Sequence, residues 1–180
     1  MKISTQRLSY LSFLIALSII LTRILSIRIP LGGVEGIRIG FGALPIVFAG
    51  VVFGPLAGGV VGAISDLLGY FINPIGAYMP HFTLTSFLSG FIPGVIIFYL
   101  FKQVRNYWTL LTAIAIGQII TSIILVPIFI QSLFSVPMSV TVIPRIITQA
   151  INIPIYAYFI RTLLKLDIFS TDRFELKLSA

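Results

Sequence analysis

Long apolar stretches, separated by short polar segments with glycine and proline, follow one another along most of the chain. A helix needs about 20 apolar residues to cross the hydrocarbon core of a bilayer, with a range of about 17 to 25. The pattern predicts six membrane-spanning helices, at approximately 7–25, 39–53, 56–72, 82–101, 108–131 and 140–164. The second is short and runs into the third through FGPLAGG, a Gly-Pro turn. SIRIPLGGVEGIR (26–38) is more polar and predicts a long loop between helices one and two. NPIGAYMPH (73–81) and QSLFSVPMS (131–139) read as further loops, and the polar tail from about Asp167 is expected to leave the membrane. At the N-terminus, basic residues precede an apolar run, as in a signal peptide. The run is longer than a signal peptide requires and no small-x-small site follows it, so an uncleaved first helix is expected.

A few polar positions recur inside these helices at helical spacing. Gly58, Gly62 and Asp66 stand at i, i+4 and i+8, and Gly59 and Ala63 widen the stripe into a small-residue face. Such a face lets another helix approach closely, which turns Asp66 inward rather than to lipid. At about 1.5 Å per residue from Leu56, Asp66 lies about 15 Å along its helix, at or beyond the midplane. Ionisable groups at that depth are rare, face a protein interior or cavity, and point to function. In the sixth helix Arg145, Gln149, Asn152 and Tyr156 fall at i, i+4, i+7 and i+11, on one face.

Composition fixes the solvent. The chain has 180 residues, of which 58% are hydrophobic and 9% charged, with a mean hydropathy of +1.10. Soluble domains carry about a quarter charged residues, so residues 1–180 read as one polytopic, all-α membrane domain. With no cysteine, disulfides, thiolate nucleophiles and sulfur metal sites are excluded. The net charge of +7 is better explained by location than by a nucleic-acid partner. Six spans place both termini on one side with Lys2, Arg7, Lys102, Arg105, Arg161, Lys165, Arg173 and Lys177. Only Arg23, Arg28, Arg38 and Arg145 belong to the other side. Eight against four puts both termini in the cytoplasm.

The outer side then has a cationic rim of Arg23, Arg28, Arg38 and Arg145 above Asp66, Gln149 and Asn152, with Tyr70, Phe71, Tyr78, His81 and Phe82 nearby. Guanidinium forks suit carboxylate or phosphate. A buried carboxylate suits a ligand edge with adjacent N–H donors, and aromatic walls suit a flat ring. Together they predict an anionic ligand with a planar, N–H-rich head, such as a pterin or another amino-heterocycle. Two structural alternatives stay open: Asp66 tying helices through Arg145 or Arg23, and Gln149 or Asn152 making interhelical hydrogen bonds. His81, the single histidine, has no companion ligands at metal spacing, and reads as a ring contact at the pocket mouth or an ordinary loop residue. No metal site is expected. Nucleophile, zinc and P-loop motifs are absent from the sequence, so neither an enzyme nor a self-powered transporter is expected.

Three runs carry a family resemblance: RIGFGALPI from Arg38, FGPLAG from Phe53, and GAISDLLGY from Gly62 to Tyr70. They resemble the substrate-binding S components of energy-coupling factor (ECF) vitamin transporters, and most of all the folate-family members. Small size, six spans, a long first outer loop and basic cytoplasmic ends extend the resemblance over essentially the whole chain. It implies a subunit of the prokaryotic plasma membrane that binds a folate-like vitamin from outside in a pocket closed by the first loop. It further implies docking onto a transmembrane coupling subunit with two ATPase subunits, which use the ATP, and toppling to deliver the vitamin inward. No cofactor of its own is implied. Family members dock through an Ala-x-x-x-Ala pattern on helix one; here the matching positions are Ser12 and Ala16, with Ser9 on the same face. Serine is still small enough for close packing. Related members carry hydroxymethylpyrimidine, thiamine, riboflavin, pantothenate or queuosine precursors, so the vitamin is less sharply implied than the class, although a basic rim argues against cationic thiamine. A self-contained channel or secondary transporter would need a polar path through both halves, whereas the inner halves are rich in Gly, Ala, Val and Ile. A purely structural subunit would not need the outer arginines or the buried carboxylate.

Overall fold

Apolar runs without polar interruption wind into helices because, in hydrocarbon, every backbone N–H and C=O must be satisfied within the segment. The computed structural model describes residues 5–24, 26–31, 34–74, 78–103 and 105–165, and for 27–31 and 34–39 the backbone alone. Helix α1 spans Thr5–Arg23 and is followed by a hairpin of β1 (Ile27–Leu31) and β2 (Val34–Ile39). Then come α2 (Ala43–Phe53), α3 (Pro55–Ile72), α4 (Pro80–Val95), α5 (Tyr107–Gln118), α6 (Val126–Phe134) and α7 (Met138–Lys165). A π-helical segment, Ile96–Leu100, extends α4, and a second, Ile119–Leu125, joins α5 to α6 in one rod. Among the described residues, five helices are long and apolar enough to cross a membrane: Thr5–Arg23, Pro55–Ile72, Pro80–Leu100, Tyr107–Phe134 and Met138–Lys165.

Three features differ from the sequence expectation. The predicted second span, 39–53, is an 11-residue helix, about 16 Å long against a core of about 30 Å. Its residues Pro45 to Phe53 are all buried, so its apolarity reflects burial among neighbouring helices rather than contact with lipid. The predicted first loop instead contains an antiparallel hairpin, with Ile27 opposite Ile39 and a register shift between Ile29 and Pro30. Proline has no N–H to give to a ladder, and its place at the irregularity fits that loss. At the other end of the chain, QSLF (131–134) completes α6 where a loop was expected. The tail from Asp167 lies outside the described residues.

Glycine sets how closely α2, α3 and α4 approach. Gly54, at φ +98°, occupies backbone space that side chains avoid, and Pro55 starts α3 directly after it. A Cβ on Gly58 would fall 2.5 Å from the Gly50 Cα and 2.7 Å from the Gly90 oxygen; one on Gly62 would strike the Ser86 carbonyl. The Gly58–Gly62 face is therefore filled by the backbones of α2 and α4. Opposite the hairpin, the Arg7 guanidinium donates to the Phe53 carbonyl and lies 6.0 Å from the Phe53 ring. A cation there complements the C-terminal end of the α2 dipole.

Candidate ligand-binding cavity

A cavity of about 330 Å³ is lined by residues from all seven α-helices and from the π-segment Ile119–Leu125, together with Gly40 at the base of the hairpin. Its charged side chains, Arg23, Asp66 and Arg145, come from α1, α3 and α7. Arg23, the last residue of α1, brings Nη2 to 3.8 Å from Asp66 Oδ1 and donates from Nη1 to the Asn73 carbonyl at 3.2 Å. Thr83 Oγ1 donates to Asp66 Oδ2 at 2.7 Å. With that proton committed, the Tyr78 hydroxyl, 2.9 Å away, is the donor to Thr83. Asp66 is thus oriented by α1 and α4 together, and the helix tie considered for it exists as an ion pair in the cavity wall. Gly69 makes room for this: a Cβ there would be 2.9 Å from Arg23 Nε.

The α5–α6 rod and the remainder of the α7 stripe contribute uncharged polar groups. Gln149 Nε2 donates to Ser122 Oγ at 2.9 Å, and Gln118, Thr121 and Ser122 all face the cavity from the α5–α6 rod. The rod is π-wound here, with the Val126 N–H reaching back five residues to Thr121 O. Pro127 lacks the N–H that an α-helix would give to Ile123 O, and widening the turn is one way to accommodate that loss. Gly117 fixes where the rod crosses α4, since a Cβ on it would meet Pro93 Cγ at 2.7 Å. Hydrogen bonds also seat the hairpin base: Tyr156 donates to Gly40 O and Ser18 to Gly42 O, both at 2.9 Å.

Of the residues singled out in the sequence, Arg23, Asp66, Tyr70, Tyr78, Arg145, Gln149 and Asn152 line this cavity. So do Tyr156, the fourth member of the α7 stripe, and Phe82. Tyr70 and Tyr78 form one aromatic wall, their centroids 5.3 Å apart. His81 is exposed, lies outside the lining, and packs on the Phe129 ring at 5.0 Å. Phe71 is likewise exposed. Arg28 and Arg38 are register partners in the hairpin, and their side chains lie outside the described residues. Ser9, Ser12 and Ala16 are exposed on α1, away from the face that carries Ser18 and Arg23 to the cavity. Among the described residues no group of acidic, histidine or cysteine side chains could hold a metal ion. Sequence reasoning missed Ser18, Ser65, Thr83, Gln118, Thr121 and Ser122. The last three had a signal, a polar i, i+3, i+4 cluster inside the most apolar rod.

Apolar helices around a cavity lined by charged and uncharged polar groups define a membrane-embedded binding subunit for a small molecule. The chain belongs to the family described as "ECF-type riboflavin transporter, S component", whose model matches residues 2–166; it is a transporter subunit and not an enzyme. It is 41% identical over 151 residues to the "Folate transporter FolT" of Clostridium novyi (strain NT), covering 84% of this chain and 83% of the relative. The fold is similar to that of FolT solved with folic acid bound, with a TM-score of 0.73 and 26% identity over 87% of this chain and 90% of that one. It also resembles a biotin S component of an ECF-type ABC transporter, with a TM-score of 0.71 over 93% of this chain and 97% of that one. At 18% identity this last likeness speaks for the fold alone.

Proposed function

We propose that the chain captures folate, or a closely related pterin, on the outer face of a prokaryotic plasma membrane and delivers it inward as the substrate-specific subunit of an ATP-driven ECF transporter. The observation that carries this reading is that one cavity combines two guanidinium groups, Arg23 and Arg145, with a carboxylate, uncharged polar side chains and a tyrosine wall. Folate carries the complementary groups, a glutamate tail with two carboxylates and a flat pterin head rich in N–H donors. Arg23 and Arg145, with Arg28 and Arg38 of the hairpin, hold the tail. Asp66, Gln149 and Asn152 take the head's N–H edge, and Tyr70 and Tyr78 lie against its ring. The relative named for folate transport, with which the chain shares 41% identity, supports the same ligand.

In this reading the chain passes the membrane six times with both termini cytoplasmic, α2 completing the count as a short, shielded segment. Ser9, Ser12 and Ala16 on the exposed side of α1 dock the coupling subunit, and two ATPase subunits of the complex hydrolyse the ATP. Riboflavin is the second reading, favoured by the matched family's description. It offers a flat head but no carboxylate for the cavity's arginines to hold.

Titration of the purified chain in detergent with folic acid and with riboflavin separates the two. Folic acid should bind, and Arg145→Ala should weaken it by about 30-fold or more, the cost of truncating one side of a buried charge pair. Asp66→Asn should weaken it less, since the amide keeps one acceptor. Folic acid affinity unchanged in both variants, or binding of riboflavin alone, would defeat the assignment.

A further inference from the structure

Buried hydroxyls in this bundle almost all donate to a backbone carbonyl. Thr85 donates to Phe82 O, Ser89 to Ser86 O, Thr121 to Gly117 O and Thr148 to Pro144 O. Ser65 does not: its Oγ is buried without a partner among the described residues, on a residue only 5% exposed. The same holds for Gln118 Nε2, on a residue 3% exposed, and for Gln149 Oε1. All three side chains line the cavity. Local rearrangement does not readily absorb them. Gln149 is held by its Nε2 bond to Ser122, which directs Oε1 elsewhere, and the Thr121 proton is already committed to Gly117 O. Gln118 follows directly on Gly117, whose contact with Pro93 fixes the crossing of α5 and α4.

Three unpartnered groups in one cavity, a donor, an acceptor and a hydroxyl able to be either, mark a place where something else completes the bonding. We propose that Ser65, Gln118 and Gln149 form an uncharged recognition floor for the neutral C=O/N–H edge of a planar heterocycle, so that a ligand enters head first and leaves its anionic end at Arg23 and Arg145. This deepens the folate reading and rests on it for the identity of the head. Gln118 Nε2 requires a ring carbonyl or ring nitrogen, and Gln149 Oε1 requires a ring N–H. A carboxylate placed against Gln149 Oε1 would face an amide oxygen, so this edge favours a donor over an anion.

The test uses the full chain in detergent, with folic acid, pterin (the head alone) and 4-aminobenzoylglutamate (the tail alone) as probes. Gln118→Leu and Ser65→Ala should weaken folic acid and pterin by the same factor, about tenfold for Gln118→Leu. Both variants should leave 4-aminobenzoylglutamate unchanged, whereas Arg145→Gln should weaken only folic acid and the tail. Because Gln118→Leu removes a buried unpaired donor, the ligand-free variant should also melt at or above the wild-type temperature. A merely structural glutamine predicts the opposite, a lower melting temperature with head and tail weakened alike. Either that result, or pterin bound undiminished by Gln118→Leu, overturns the floor. A wild type that takes riboflavin and not folic acid overturns the ligand reading alone, and riboflavin titration of the same variants then decides the floor. Binding of neither overturns both.

Discussion

One side of the bundle packs main chain against main chain, and the other packs through side chains that reach the cavity. On the α2–α3–α4 side, Gly50, Gly58, Gly62 and Gly90 bring helices into contact main chain to main chain. On the α5–α6–α7 side, Gln118, Ser122, Gln149 and Asn152 line the cavity, from a rod that contains a π-wound segment and from a helix with two interior prolines, Pro144 and Pro154. The first arrangement leaves no room for adjustment, because a backbone atom cannot change rotamer as a side chain can. The second departs from ideal helix at the π-turn, next to the residues that carry its polar groups. Asp66 and Ser65 sit where the two meet. The glycine stripe carries them on a rigid helix, and the groups they work with come from neighbouring helices.

Breaking the rigid wall should cost most. Gly58→Val inserts a branched side chain where even a Cβ would lie 2.5 Å from the Gly50 Cα, so α2 and α3 must separate. Overpacking of this kind costs about 3 kcal/mol at the upper end of its usual range. A melting curve in detergent should show the loss, and a variant as stable as wild type would mean the block can move apart freely. Ser122→Ala on the opposite wall should cost less, about 1 kcal/mol, because it only removes the acceptor of Gln149 Nε2.

The rigid wall was also the more legible in the sequence, because close helix packing demands small residues and small residues repeat visibly. Gly58, Gly62 and Asp66 show the stripe and its inward carboxylate directly, and Arg145, Gln149, Asn152 and Tyr156 show the facing one. Several other features could not be read. A fully apolar 11-residue buried helix and a piece of a membrane span look alike, since both lack polar residues, and so α2 was expected to be longer. Thr83 acts on Asp66 across a loop that sequence spacing does not measure. The π-segment also changes the angular step per residue, so a face computed at α-helical pitch along α5 does not carry over to α6. The hairpin was obscured because Gly, Pro and alternating Arg-Ile residues read equally well as loop.

The adaptable wall can be sharpened by restoring ideal helix. Pro127→Ala supplies the N–H that Ile123 O lacks and should let the π-segment rewind toward α-helix. Proline inside a helix costs about 3 kcal/mol, of which the π-turn has already absorbed a part, so stability should rise by about 1 kcal/mol. Gln118 and Ser122 would rotate relative to Gln149, and folic acid affinity should fall although no contacting residue has changed. Higher stability with undiminished affinity would show that the π-segment does not aim these side chains.

The smallest effect probes the join between cavity and hairpin. Tyr156 stands on the adaptable wall, yet its hydroxyl is committed to the Gly40 carbonyl at 2.9 Å, and its ring packs on Phe41 at 6.4 Å. Tyr156→Phe keeps the ring and removes one neutral hydrogen bond, worth about 1 kcal/mol. Only part of that loss should appear in the melting temperature, because the ring contact still seats Phe41. The remainder should appear at the hairpin base, as faster amide exchange around Gly40 and faster release of bound folic acid, with little change in its association rate. If α7 instead supports the cavity independently of the hairpin, exchange at Gly40 will match wild type and the dissociation rate will not move. The tyrosine hydroxyl would then belong to the packing of one wall, and the hairpin would be seated through Ser18 and Gly42 alone.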